Sequence, residues 1–126
     1  MEVCVVLQTL TEELLEECKE CWLRFLKMRE TDTSPDFFKD VKPQSDLYHQ
    51  KLFTWKNEVE SWIDVNKPKY MHKTQVQNAV EAMDQFIVQS FYPKTSKKRL
   101  FQSIQSVTYT LETLQRILQK DESMDE

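Results

Sequence analysis

The chain has 126 residues, of which 40% are hydrophobic and 11% aromatic, enough to build one domain around a packed core. Its formal net charge of −4 argues against a generic nucleic-acid binder. It contains no glycine, which excludes the P-loop, the GxGxxG dinucleotide turn and the G-x-S-x-G nucleophile elbow, and deprives a β-rich fold of its Asn-Gly and Asp-Gly hairpins.

The first element begins near residue 3. Val3, Leu7, Leu10 and Leu14 step by helical intervals, and the stripe continues through Cys18, Cys21, Phe25 and Met28. This predicts one long helix, with Thr9-Leu10-Thr11-Glu12 as a candidate capping box for a later start. Residues 30–43 form a longer crossing. Within it Ser34 and Pro35 have the types that open a helix, and Asp36 suits its positive end. A short extra helix is expected there, stopped by Pro43, with Phe37, Phe38 and Val41 folding onto the bundle.

The second long stripe is Tyr48, Leu52, Trp55, Val59 and Trp62, ending near Asn66 because Lys67 precedes Pro68 and a residue before proline avoids the α region. The third is Val76, Val80, Met83 and Ile87, with Thr74 and Gln77 as a candidate capping box. The fourth is Leu100, Ile104, Val107, Leu111, Leu114 and Leu118, ending near Lys120. The links at Lys67–His72 and Tyr92–Ser96 are short, and short links make neighbouring helices antiparallel. The expected fold is therefore all-α: an up-down-up-down four-helix bundle with a short extra helix in the first connection. Residues 1–120 form the single domain and 121–126 a disordered acidic tail.

Charge is distributed unevenly along these elements. Residues 1–32 hold eight acids and four bases, and the tail Asp121, Glu122, Asp125, Glu126 is wholly acidic. The middle, residues 33–120, holds thirteen bases and nine acids, so a basic centre lies between acidic ends. No stretch approaches the roughly 18 apolar residues of a membrane span. The start Met1-Glu2-Val3-Cys4 lacks the basic and apolar regions of a signal peptide. Three cysteines without a disulfide-framework pattern fit reduced thiols in the cytoplasm.

Several short pieces along the chain carry a family resemblance. They are Pro35-Asp36-Phe37-Phe38 with Val41-Lys42-Pro43, then Lys67-Pro68-Lys69-Tyr70-Met71-His72-Lys73, then Gln89-Ser90-Phe91. Lys97-Lys98-Arg99-Leu100-Phe101 and Ser106-Val107-Thr108-Tyr109-Thr110-Leu111 complete the set. In order and spacing, from about residue 3 to 120, the chain resembles the YppE-like proteins of Bacillus and related Firmicutes. The resemblance implies a four-helix bundle, in agreement with the periodicity, and implies no activity.

The chemistry-bearing patterns each have a plain structural reading. Cys18 and Cys21 have CxxC spacing, but they lie mid-helix on the apolar stripe, where buried thiols are the expected reading. A di-iron bundle needs two Glu-x-x-His motifs, and this chain has none, with His49 and His72 its only histidines. No metal, cofactor or catalytic residue is nominated. Glu12, Glu13, Glu16, Glu17 and Glu20 read as the solvated face of the first helix. Trp55 and Trp62 share a helix face and read as core, with an aromatic ligand pocket as the rarer use.

Two basic clusters remain as candidate anion- or partner-binding sites. Lys97, Lys98 and Arg99 follow a Thr95 or Ser96 N-cap and oppose the helix dipole, beside free backbone N–H groups. Lys69, Tyr70, His72 and Lys73 precede the third helix at the opposite end of the bundle, and Tyr92 is a further candidate for stacking. The competing reading is neutralisation by local acids, Asp36 and Asp40 for the first cluster. The leading expectation is a non-catalytic cytoplasmic interaction protein, a monomer or weak homodimer with an unknown protein partner. The alternative is a bundle that binds a small molecule or anion. Nucleic-acid binding through the basic middle ranks below both.

Overall fold

A computed structural model describes the backbone of residues 2–124 and the side chains of residues 5–120. Four long helices form the bundle: α1 (Glu2–Thr31), α2 (Lys42–Asn66), α3 (Lys73–Gln89) and α4 (Lys97–Met124). No strand occurs among the described residues. Helix α1 packs on α4 and α2, and α3 packs on α2 and α4, closing an alternating bundle. One end gathers the C-termini of α1 and α3 and the N-termini of α2 and α4.

The apolar stripes meet at the axis. Leu7, Leu14, Cys18, Cys21 and Phe25 of α1 join Leu52, Trp55, Val59 and Trp62 of α2 in one buried cluster. Val76, Met83, Phe86 and Ile87 of α3 and the whole α4 stripe from Leu100 to Leu118 complete it. Each fully buried large apolar side chain contributes about 1.5–3 kcal/mol of transfer free energy, so these stripes supply most of what orders the helices. Polar atoms in the core are paired. Thr11 donates to the Leu7 carbonyl (2.6 Å) and accepts from the Trp55 indole N–H (3.1 Å).

The first connection differs from the sequence-based expectation. The short extra helix is a single π-helical turn, Phe37–Val41, that runs directly into α2. Asp36, not Ser34, is its cap, and its carboxylate accepts from the backbone N–H groups of Phe38 and Lys39. Pro43 does not stop this turn. It lies in the first turn of α2, where a helix needs no proline N–H. Val41 is fully buried as expected, but Phe37 and Phe38 are exposed and stack edge-to-face on each other instead of on the bundle (centroids 5.3 Å apart).

The other boundaries follow the local chemistry. Helix α2 ends where Lys67 turns left-handed (φ 46°) before Pro68, its N–H closing on the Ile63 carbonyl. Helix α3 starts two residues earlier than a Thr74 cap implies. The backbone N–H of His72 donates to the Gln75 side chain (2.7 Å), so the capping box is His72/Gln75. Helix α4 runs to Met124, past the expected end at Lys120, where no proline or glycine stands to break it. The side chains of the acidic tail and residues 125 and 126 lie outside the described residues.

Candidate functional site

The first basic cluster lies where α4 begins. The N–H of Arg99 reaches the Ser96 hydroxyl oxygen (3.4 Å), and Lys97, Lys98 and Arg99 project into solvent from the first turn. Among the described residues no carboxylate forms an ion pair with these three cations. The acids expected to neutralise them are engaged elsewhere. Asp36 caps the π-turn, and the Asp40 carboxylate accepts from the Asp36 N–H (3.0 Å). Beside the lysines, Trp22 of α1 meets Phe101 of α4 with ring centroids 5.1 Å apart. Trp22, Phe101, Lys97 and Lys98 line a shallow groove of about 470 Å³, apolar between its two cations. Arg99 is not part of its lining.

The second cluster lies at the far end and does not act as one unit. Lys73 pairs with Asp64 (2.6 Å), and this hydrogen bond raises the Lys73 pKa above its ordinary value. His72 begins α3. Lys69 is exposed. Tyr70 instead faces α4, where it shares a cleft of about 420 Å³ with Tyr109, Thr113, Arg116, Ile117 and Lys120. The cations of this cleft therefore come from α4, and sequence analysis missed them. Tyr109, Thr113, Arg116 and Lys120 step by 4, 3 and 4 along α4, a polar stripe beside the apolar one.

A buried charged network crosses the bundle at the same end as the groove, and here the sequence-based expectation needs correction. Glu17 is not on the solvated face: its side chain is only 2% exposed. It sits three residues after Leu14 and four before Cys21, inside the apolar stripe, and that spacing was the available signal. Glu12, Glu16 and Glu20 are exposed, as expected. Arg24 donates to the Glu17 carboxylate (3.3 Å) and to the Ser90 hydroxyl (2.9 Å), while its guanidinium lies 4.5 Å from the Phe91 ring centroid. Gln44 donates to the second Glu17 oxygen (3.1 Å), and the Ser90 hydroxyl donates to the Ile87 carbonyl (2.7 Å). The network thus ties α1 to the start of α2 and the end of α3.

The thiols belong to the same region. Cys18 and Cys21 are free and buried. Burial pushes the Cys18 thiol up to about 12, opposed in part by a hydrogen bond from Thr108. Burial, reinforced by Glu17, pushes Cys21 up further. Such thiols are poor nucleophiles and poor metal ligands, since both roles need the thiolate. Among the described residues no group of three His, Cys, Asp or Glu side chains is placed to hold a metal ion. His49 pairs with Asp84 across the surface (2.9 Å). Trp55 and Trp62 are buried in the core. No helix is long and apolar enough, among the described residues, to cross a membrane.

Comparison with known proteins agrees with this architecture. Residues 11–118 match the bacterial domain of unknown function DUF1798. The chain is 26% identical over 114 residues to the uncharacterized protein YppE of Bacillus subtilis, covering 90% of this chain and 93% of that one. It superimposes on the crystal structure of that protein with a TM-score of 0.89, covering 93% and 95% of the two chains. A crystal structure of a protein of unknown function from Listeria innocua matches at 26% identity and a TM-score of 0.91, covering 96% and 97%. With a match that enters all four helices, the chain belongs to the DUF1798 family and is YppE-like in sequence and fold.

Proposed function

We propose that this protein is a non-catalytic cytoplasmic interaction module that binds an acidic, aromatic- or leucine-bearing segment of a protein partner in the groove between α1 and α4. One observation carries this reading: Lys97 and Lys98, without a carboxylate partner among the described residues, flank an aromatic floor made by half-buried Trp22 and exposed Phe101. An apolar anchor would cover the rings while acids on either side met Lys97 and Lys98. Arg99, one position along the helix, extends the positive field that guides the segment in. A non-catalytic role is supported by Cys18 and Cys21, which burial keeps protonated and so poor nucleophiles.

The test is a parallel capture from the native lysate with wild type and with the K97Q/K98Q/R99Q variant, read by mass spectrometry. It is followed by titration of an acidic segment of any captured protein, read by tryptophan fluorescence. The expected result is a partner held by wild type and lost from the variant, with the segment binding about tenfold more weakly to the variant and weakening with salt. A partner captured equally by both proteins, or a segment whose affinity ignores the three substitutions, overturns the groove as its site.

A further inference from the structure

The far end of the bundle carries a second cleft, separate from the groove. Tyr70 and Tyr109 are 72% and 66% exposed on the walls of one cleft. Tyrosines stranded in water at that level gain most when a flat apolar surface covers them. Below Tyr109 on the same face of α4 come Thr113, Arg116 and Lys120, so one stripe presents a ring, a hydroxyl and two cations in sequence. The Arg116 guanidinium donates to the Thr113 hydroxyl oxygen (3.3 Å), which holds it beside the cleft. Among the described residues neither Arg116 nor Lys120 has a carboxylate partner. A protein surface that needed these cations only for solubility would have no reason to gather them with two tyrosines around a hollow. The volume of about 420 Å³ lies in the range of small-ligand sites.

We infer that this cleft binds a small anion bearing a planar aromatic ring, of the size and chemistry of a nucleoside diphosphate. The ring lies against Tyr109 and Tyr70, and the anionic group meets Arg116 and Lys120. Arg suits this position because its planar fork can give two parallel hydrogen bonds to a phosphate. The two halves of the ligand are recognised by different residues, so they can be removed separately.

The experiment is a titration of the full chain, isotope-labelled for amide NMR, with ADP in the absence of divalent ions. Adenosine and pyrophosphate are titrated in parallel, and the variants are Arg116→Gln, Tyr109→Ala and, as a control, Lys27→Gln. All three side chains are exposed, so each variant is expected to keep the wild-type amide spectrum away from its own site. ADP is expected to give saturable shifts around residues 70–75 and 109–120, with adenosine and pyrophosphate each binding more weakly. R116Q should weaken ADP about tenfold through loss of charge-assisted hydrogen bonds. Y109A should weaken it about fivefold or more through lost stacking, and K27Q should leave it unchanged. No saturable shift with millimolar ADP, or ADP binding by R116Q and Y109A as tight as by wild type, would overturn the site. Pyrophosphate binding as tightly as ADP would overturn the aromatic half of the inference.

Discussion

Glu17 and Arg24 are costly residues to disturb singly, because their charges have been taken out of water together. The Glu17 side chain is 2% exposed and that of Arg24 19%. Their mutual attraction offsets desolvation only while both are present, and removal of one partner of a buried pair typically costs about 3–5 kcal/mol. Arg24 keeps some solvent contact, so Arg24→Ala is expected at or below the lower end, about 2–3 kcal/mol, by urea denaturation. The double replacement Glu17→Leu with Arg24→Met removes both charges and should cost less than Arg24→Ala alone. A loss under about 1 kcal/mol for Arg24→Ala would mean that Glu17 is hydrated in solution. Glu17 also shows what composition conceals. Five glutamates at helical spacing read as one solvated face, yet the bundle axis passes through position 17 because it continues the Leu14–Cys21 stripe. Period, not residue type, decided its environment. Gln44, which donates to Glu17, and Ser90, which accepts from Arg24, lie in α2 and at the end of α3 and leave no mark in the local sequence.

The helices themselves were legible because each stripe of large apolar residues repeats at 3 and 4, and that period allows one solution at bundle length. Their ends were less so. Pro43 was read as a stop, although proline is equally at home in a first turn, and only the π-turn before it shows which role it plays. The absence of glycine has its clearest consequence at a helix end. Lys67 takes the left-handed conformation (φ 46°) that closes α2, a position where a β-carbon is costly by about 1–2 kcal/mol. Lys67→Gly relieves that strain but adds freedom to the unfolded chain, so the net gain expected in chemical denaturation is about 0.5–1 kcal/mol. Lys67→Ala keeps the strained β-carbon and should leave stability nearly unchanged. If both variants behaved alike, the left-handed turn would not persist in solution.

At the scale of the whole molecule, alternation of the four helices sends the two basic clusters to opposite ends, as sequence order alone implies once the links are short. What order could not supply was their companions. Lys97 and Lys98 acquire Trp22 from α1, and Tyr70 acquires Arg116 and Lys120 from the last turns of α4, through packing between residues far apart in the chain. The bundle as a unit also sets its response to alkali. In the unfolded chain the two thiols ionise near their ordinary value of 9.0, whereas in the fold Cys18 holds its proton to about 12 and Cys21 beyond that. Above pH 9 the unfolded state therefore releases protons that the folded state keeps. Stability is full below that pH and falls as pH rises toward the folded values. Each thiol contributes a slope approaching about 1.4 kcal/mol per pH unit. Tyr48, raised chiefly by burial and then by Glu17, and Lys73, held by Asp64, add with the same sign at higher pH. Urea denaturation between pH 7 and 11 should thus show a flat region followed by a steep decline. The C18A/C21A variant, less stable at neutral pH through lost packing, should decline much less steeply above pH 9. Parallel curves for the two proteins would show that the thiols do not stay protonated in the fold, and that the core around α1 admits water.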